Sequence, residues 1–318
     1  LVEQRTENPC VAGSIPAGTT IFSKIASKFC LEAFFLGGYM QAICLDIDGT
    51  LLSSKGKILK ETKEALLQSQ AQGIRLILAS GRPTQGVLEF AQELEMDQHH
   101  GLCITYNGSQ ALDVQTHEIL FNEAISKEEC KAVLHHLKQF DGLTVMIDHG
   151  AYMCVEDVYR CMVDDNGKPF NIMQYEARAG HFLLKEVPDL EATIDFPVNK
   201  ILTFGNHDYL EANHQAMAEP FPNLSAMFTA YFYFEFTAQG VDKAKVLRSI
   251  CAQEGIDLSK VIAFGDGQND CSLLETCGYG VAMGNADEKC KAIANACTCT
   301  NDENGIAKFL RERGIKYE

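Results

Sequence analysis

From Met40 onward, short apolar runs alternate with stretches of helical spacing, and that alternation leaves few folds open to the chain. Ala42–Leu45 is the first apolar run. Ile58–Gln72 follows, with Leu59, Thr62, Ala65, Leu66 and Ser69 at helical intervals and Gly73 to end it. Arg75–Ala79 is a second run. The pattern resumes late in the chain. Lys243–Glu254 reads as a helix stopped by Gly255, Val261–Phe264 as a strand and Ser272–Thr276 as a short helix. Gly280–Met283 is another strand and Asp287–Ala296 another helix. Strands alternating with helices predict βαβ units around a parallel sheet covered on both faces, an α/β fold.

Between these two stretches lies a segment of different character, 84–236. It holds all nine histidines, most of the aromatics and the alternating run Tyr231–Phe236. We read it as a second domain inserted into the first, which then comprises 40–83 and 237–318. Arg82-Pro83 and Gln239-Gly240 are the expected connectors. Residues 1–39 show no sustained period. Lys24 and Lys28 before Phe29–Leu36 resemble a signal peptide only faintly, since Glu32 breaks the apolar run and no small-residue cleavage site follows. The expectation is a non-native or disordered leader, with the natural start at Met40.

A length of 318 residues fits two domains, and 46% hydrophobic with 22% charged residues is ordinary for a globular protein. A net charge of -16 argues against a nucleic-acid partner, since binding one would need a basic face. No apolar run approaches the ~20 residues of a membrane span, so no membrane partner is expected. The 13 cysteines include no CxxC pair. Reduced thiols and a cytoplasmic protein follow more naturally than a zinc ribbon or a disulfide framework.

In an open parallel sheet, ligands bind beyond the carboxyl ends of the strands. The first run passes into Asp46-Ile47-Asp48-Gly49-Thr50, and a period of two points Asp46 and Asp48 to the same side. The second ends in Ser80-Gly81-Arg82-Pro83. Val261–Phe264 ends in Gly265-Asp266-Gly267-Gln268-Asn269-Asp270. Acids from distant parts of the chain would meet at one edge, which is costly unless a cation holds them. Oxygen-only ligation suits Mg²⁺, which prefers one or two carboxylates and a substrate phosphate. Lys243, at a helix start, could supply fixed positive charge.

These four segments, with Gly240-Val241-Asp242-Lys243 as the third, resemble the motifs of the haloacid dehalogenase (HAD) superfamily. The large insertion resembles the α/β cap of its Cof-type subfamily (IIB), as do Ile104-Thr105-Tyr106-Asn107-Gly108-Ser109, Gly280–Ala286 and Asn301-Asp302-Glu303-Asn304-Gly305. The resemblance covers the chain from Met40 on. It implies a Rossmann-like core with an inserted substrate-specificity cap, and a Mg²⁺-dependent phosphatase of small phosphorylated metabolites, sugar phosphates above all. In that scheme Asp46 is the nucleophile that becomes an aspartyl phosphate. Asp48 is the general acid and base. Ile47, Ser80, Gly81, Lys243 and Asn269 bind the phosphate. Asp46, Asp48, Asp266 and Asp270 hold the metal. Lys245 lies close to Lys243, so the phosphate lysine is assigned by its place in the motif. Arg82 and Asn107 are candidate substrate contacts, though Asn107-Gly108 also reads as a hairpin turn.

A phosphomutase uses the same aspartyl phosphate and remains the alternative. A receiver-type signalling module also places Asp, Mg²⁺ and Lys on a parallel sheet, but receivers lack a large insertion. Histidine-based phosphatases are disfavoured because the expected catalytic domain contains no His.

Overall fold

The computed structural model describes residues 40–165, 167–180 and 182–312. The expected leader, 1–39, lies outside the described residues. The first part of the chain gives β1 (Ala42–Leu45), α1 (Lys60–Ala71), β2 (Arg75–Ala79), α2 (Gln85–Glu93), β3 (Leu102–Thr105), β4 (Gln110–Asp113) and β5 (Ile119–Asn122). The middle gives α3 (Lys127–Leu137), β6 (Thr144–His149), β7 (Tyr152–Val155), β8 (Met162–Asp165), β9 (Lys168–Asn171) and α4 (Ile172–Ala179). It continues with β10 (Leu183–Glu186), α5 (Leu190–Thr193), β11 (Ile201–Phe204), α6 (His207–Ala218), β12 (Leu224–Ala230) and β13 (Tyr233–Ala238). The last part gives α7 (Lys243–Gln253), β14 (Val261–Gly265), α8 (Cys271–Thr276), β15 (Tyr279–Ala282), α9 (Glu288–Ile293), β16 (Ala296–Cys297) and α10 (Gly305–Glu312).

Eight strands form one sheet in the order β16-β15-β14-β1-β2-β3-β4-β5, parallel from β16 to β3 and antiparallel at β4 and β5. Every residue of β1, β3 and β14 is buried, as strands covered on both faces must be. Strand order reverses around β1: the chain first moves outward through β2 and β3, then returns to lay β14 on the other side. The crevice beyond the carboxyl ends of β1 and β14 is therefore the switch point of the sheet. Leu45 is level with Phe264, and Asp46 N–H donates to the Phe264 carbonyl at 3.0 Å, so the two strand ends finish together.

A second sheet, in the order β10-β7-β6-β11-β13-β12, is antiparallel except between β10 and β7. It forms the inserted domain, but its limits differ from the expected 84–236. The segment from α2 to β5 belongs to the first sheet, and β13 runs past Phe236 to Ala238. The alternation of strand and helix simply continues through Val87, Phe90 and Ala91 of α2 into the fully buried β3. The histidines mark no boundary, because His99, His100 and His117 lie with the first sheet. The run Tyr231–Phe236 is also divided: Tyr231 and Phe232 form the turn between β12 and β13.

The core and cap carry separate hydrophobic clusters, one around β1, β2, β3 and β14 and two within the cap. They meet across a junction of polar contacts. Asn199 donates to Ser109 Oγ at 2.7 Å, and Tyr106 donates its hydroxyl to Asp148. No helix among the described residues is long and apolar enough to cross a membrane. Ten of the described cysteines are free thiols.

Candidate active site

The loop after β1 turns sharply enough to bring Thr50 back over the strand end. Leu52 N–H donates to Ile47 O at 2.9 Å and Leu51 N–H to Asp46 O at 3.2 Å. Gly49 allows this turn: its φ is +83°, and a Cβ there would lie 2.3 Å from Asp266 Oδ2. Asp46 is buried and faces the crevice, while Ile47 sends its side chain into the core. Asp48 is exposed at the mouth, where Arg82 grips both its oxygens at 2.8 and 2.7 Å. Arg82, a candidate substrate contact in the sequence, pairs with Asp48 and also lines the cleft.

Lys243 begins α7, and its position is fixed from two sides. Asp242 caps the helix by accepting from Lys245 N–H at 2.9 Å, and Ser272 ties Asp242 to α8 at 2.6 Å. Lys243 is 1% exposed and donates to Asp46 Oδ1 and Asp270 Oδ1, each at 2.7 Å. Lys245 points elsewhere, to Glu123 at 2.6 Å on the surface. Asp270 turns its other oxygen to the backbone N–H groups of Asp266 and Gly267, which shapes the loop after β14. Asp266 accepts from Thr50 Oγ1 at 2.7 Å.

Carboxylate oxygens of Asp46, Asp266 and Asp270 lie within 4.8 Å of one another. Burial and the neighbouring Asp270 push the Asp46 carboxyl well above the usual range, with Lys243 pulling the other way. Burial raises Asp266 to about 6. Three carboxylates share one buried lysine, and such a cluster is short of positive charge. The oxygen-only donor set fits a hard divalent cation.

These groups line a cleft of about 860 Å³ that cap residues also border. Every candidate site residue read from the sequence reaches it except Ile47. Asn107 does so from a left-handed turn (φ 56°) between β3 and β4, accepting from Asn269 Nδ2 at 3.1 Å; the hairpin and the site are one feature. The cap adds Glu176, Lys200 and Glu235, which the sequence did not single out, and Tyr233, which it marked only as part of an aromatic run. Lys200 pairs with Glu235 at 2.8 Å and reaches the Gly81 carbonyl at 3.4 Å, and Tyr233 donates to Glu176. Their signal was the pleat of β13. Phe234 and Phe236 pack into the cap core, so Tyr233, Glu235 and Thr237 face the cleft. No histidine lines the cleft among the described residues.

The model of the haloacid dehalogenase-like hydrolases matches residues 43–310. This chain belongs to that family. A haloacid dehalogenase-like hydrolase from Bacteroides thetaiotaomicron is 32% identical, with a TM-score of 0.80 over 86% of this chain and 99% of its own. A HAD subclass IIB sugar phosphatase is 27% identical, with a TM-score of 0.69 over 87% of this chain and 100% of its own. The pyridoxal phosphate phosphatase of Escherichia coli (strain K12) is 29% identical over 85% of this chain and 97% of its own length. The chain is thus a HAD-type phosphoric monoester hydrolase with a Cof-type cap, and the receiver-type reading falls away.

Proposed function

We propose that this enzyme hydrolyses small phosphorylated metabolites, sugar phosphates among them, through an aspartyl phosphate on Asp46 with Mg²⁺ bound. The observation that carries the reading is Lys243, buried and shared between Asp46 and Asp270 at the switch point of the sheet. It lowers the charge that a phosphate dianion meets and keeps Asp46 available as an anion. Ser80, Gly81, Asn269 and the Ile47 backbone hold the phosphate oxygens. Asp46 then attacks phosphorus, the ester P–O bond breaks, and Asp48 gives its proton to the leaving oxygen. Asp48 next takes a proton from water as that water attacks the phosphoryl group and frees Asp46. To act, Asp48 exchanges at least one of its Arg82 contacts for the substrate.

Asp46, Asp266 and the Asp48 carbonyl would hold Mg²⁺. Asp270 completes the cluster, its oxygens engaged in fixing Lys243 and the Asp266 amide. When bound, the cation neutralises charge on the transferring group. Glu176, Glu235, Lys200 and the Tyr233 hydroxyl give the lid donors and acceptors suited to a polyhydroxylated substrate, and the cleft has the size of a small-metabolite site.

The test is turnover of a panel of phosphate esters, with and without Mg²⁺. Hydroxyl-rich esters are expected to be preferred, releasing inorganic phosphate. Full turnover in excess chelator would refute the metal assignment. Phosphoryl transfer to a sugar without phosphate release would favour the mutase.

A further inference from the structure

Two cysteines stand directly behind the loop that carries Asp266 and Asn269. Cys271 opens α8 immediately after Asp270, and Cys290 lies in α9. Their sulfurs are 3.2 Å apart. Cys290 is fully buried and its thiol donates to the Gly267 carbonyl at 2.9 Å, while Cys271 is partly exposed. Asp287 ties α9 to the same loop: its N–H donates to the Asp266 carbonyl at 3.0 Å, and its Oδ1 accepts from Cys290 N–H at 2.7 Å. The pair therefore touches the Gly267–Asp270 loop at both ends, and neither thiol has a part in the chemistry above.

We propose that Cys271 and Cys290 form a dithiol that a low-molecular-weight disulfide oxidises reversibly to a Cys271–Cys290 cystine, and that this cystine turns down the phosphoryl-transfer site. The second half rests on the function proposed above. In the first step the accessible Cys271, losing its proton, attacks one sulfur of the small disulfide and expels one thiolate. Cys290 then loses its proton and attacks Cys271 Sγ, expelling the second. Two protein thiols lose two electrons, and one small disulfide becomes two thiols carrying the two protons. A disulfide is about 2.05 Å long, so the sulfurs must close by roughly 1 Å, and the Gly267 carbonyl loses the thiol that donates to it. Both changes pull on the loop that places Asp266 and Asn269. Asp287 could complete a three-ligand soft-metal site, but its Oδ1 is engaged in capping α9 and the Cys290 thiol is spent on Gly267.

The experiment incubates the whole protein with oxidised glutathione, with and without later dithiothreitol. A non-reducing digest that separates Cys271 from Cys277 is mapped by mass spectrometry, and Mg²⁺-dependent hydrolysis of p-nitrophenyl phosphate is measured on the same samples. The expected result is a Cys271–Cys290 cross-link, two hydrogens lighter, with kcat at least ~10-fold lower and both reversed by dithiothreitol. Cys271→Ser and Cys290→Ser, taken separately, should keep the reduced rate, the serine hydroxyl at position 290 still donating to Gly267, and lose the response. No cross-link at high oxidised glutathione would overturn the proposal. So would a cross-link with undiminished rate, inhibition that persists in both variants, or tight stoichiometric Zn²⁺ binding in place of a cross-link. A reduced protein without phosphatase activity would instead fail the proposed function, and the peptide map would still decide whether the dithiol forms.

Discussion

Replacing Lys243 with Met separates the buried lysine from its exposed neighbour. Lys243→Met leaves Asp46 and Asp270 buried with no cation between them. Breaking a buried pair by removing one partner costs about 3–5 kcal/mol, or about two to four powers of ten in the folded-to-unfolded ratio. Lys245→Met removes only the surface contact with Glu123, whose side chains are 46% and 35% exposed. Such pairs contribute about 0.2–1 kcal/mol. Adding Asp270→Asn to Lys243→Met removes one excess negative charge and keeps an acceptor for the Asp266 and Gly267 amides, so the double mutant should recover about 1–3 kcal/mol relative to additivity. The pH dependence has a definite sign. Burial holds the Asp46 carboxyl above its unfolded value and Lys243 opposes this, so the single mutant gains stability relative to wild type as pH falls. Urea unfolding in chelator, followed by circular dichroism at several pH values, reads all of this, and ester hydrolysis reads the activity. Equal losses for Lys243→Met and Lys245→Met would refute the reasoning.

Asp46→Asn should abolish turnover and phosphoenzyme together, whereas Asp48→Asn should retain a trace of activity, reduced by about 10²–10⁴-fold. With a nitrophenyl ester, rapid quench and mass spectrometry should find acyl phosphate accumulating on Asp46 of the Asp48→Asn protein; phosphate on Ser80 would end the scheme. Burial raises Asp148 to about 6, so its contribution is present in full below pH ~4 and lost as pH rises through 6, a swing of about 3 kcal/mol. Asp148→Asn should therefore raise the melting temperature at pH 8 and give no such gain at pH 4; an unchanged melting temperature at pH 8 would contradict this. Gly49→Ala should displace Asp266 and weaken Mg²⁺ binding at least ~10-fold by calorimetry, and unaltered affinity would show that the loop relaxes freely.

The catalytic half was legible because its signals are local. A buried parallel strand is a short apolar run, and the residue that follows it must face the crevice, so Asp46, Ser80 and Asp266 could be placed from order alone. The cap boundary was not legible in the same way. β4 and β5 are antiparallel additions to an edge, and neither their composition nor Pro83 says which sheet they join. The Asp48–Arg82 pair needs two loops to meet, which no spacing encodes. Lys200 and Glu235 are far apart in sequence and come together only through the register of β11 on β13. Glu235 was nevertheless visible as the one charge within an aromatic stripe, on the face opposite Phe234 and Phe236.

The three hydrophobic clusters share no residue, and this separation governs how such a chain tolerates mutation. A cavity opened at Phe236 or Leu210 weakens the lid, yet the packing that holds Asp46 level with Asp266 feels none of it. Substitutions that reshape the lid's inner face are buffered from the half that performs phosphoryl transfer. New substrates can be tried by drift in one domain while the other stays under its own, stricter constraint, much as two independently folding proteins would evolve.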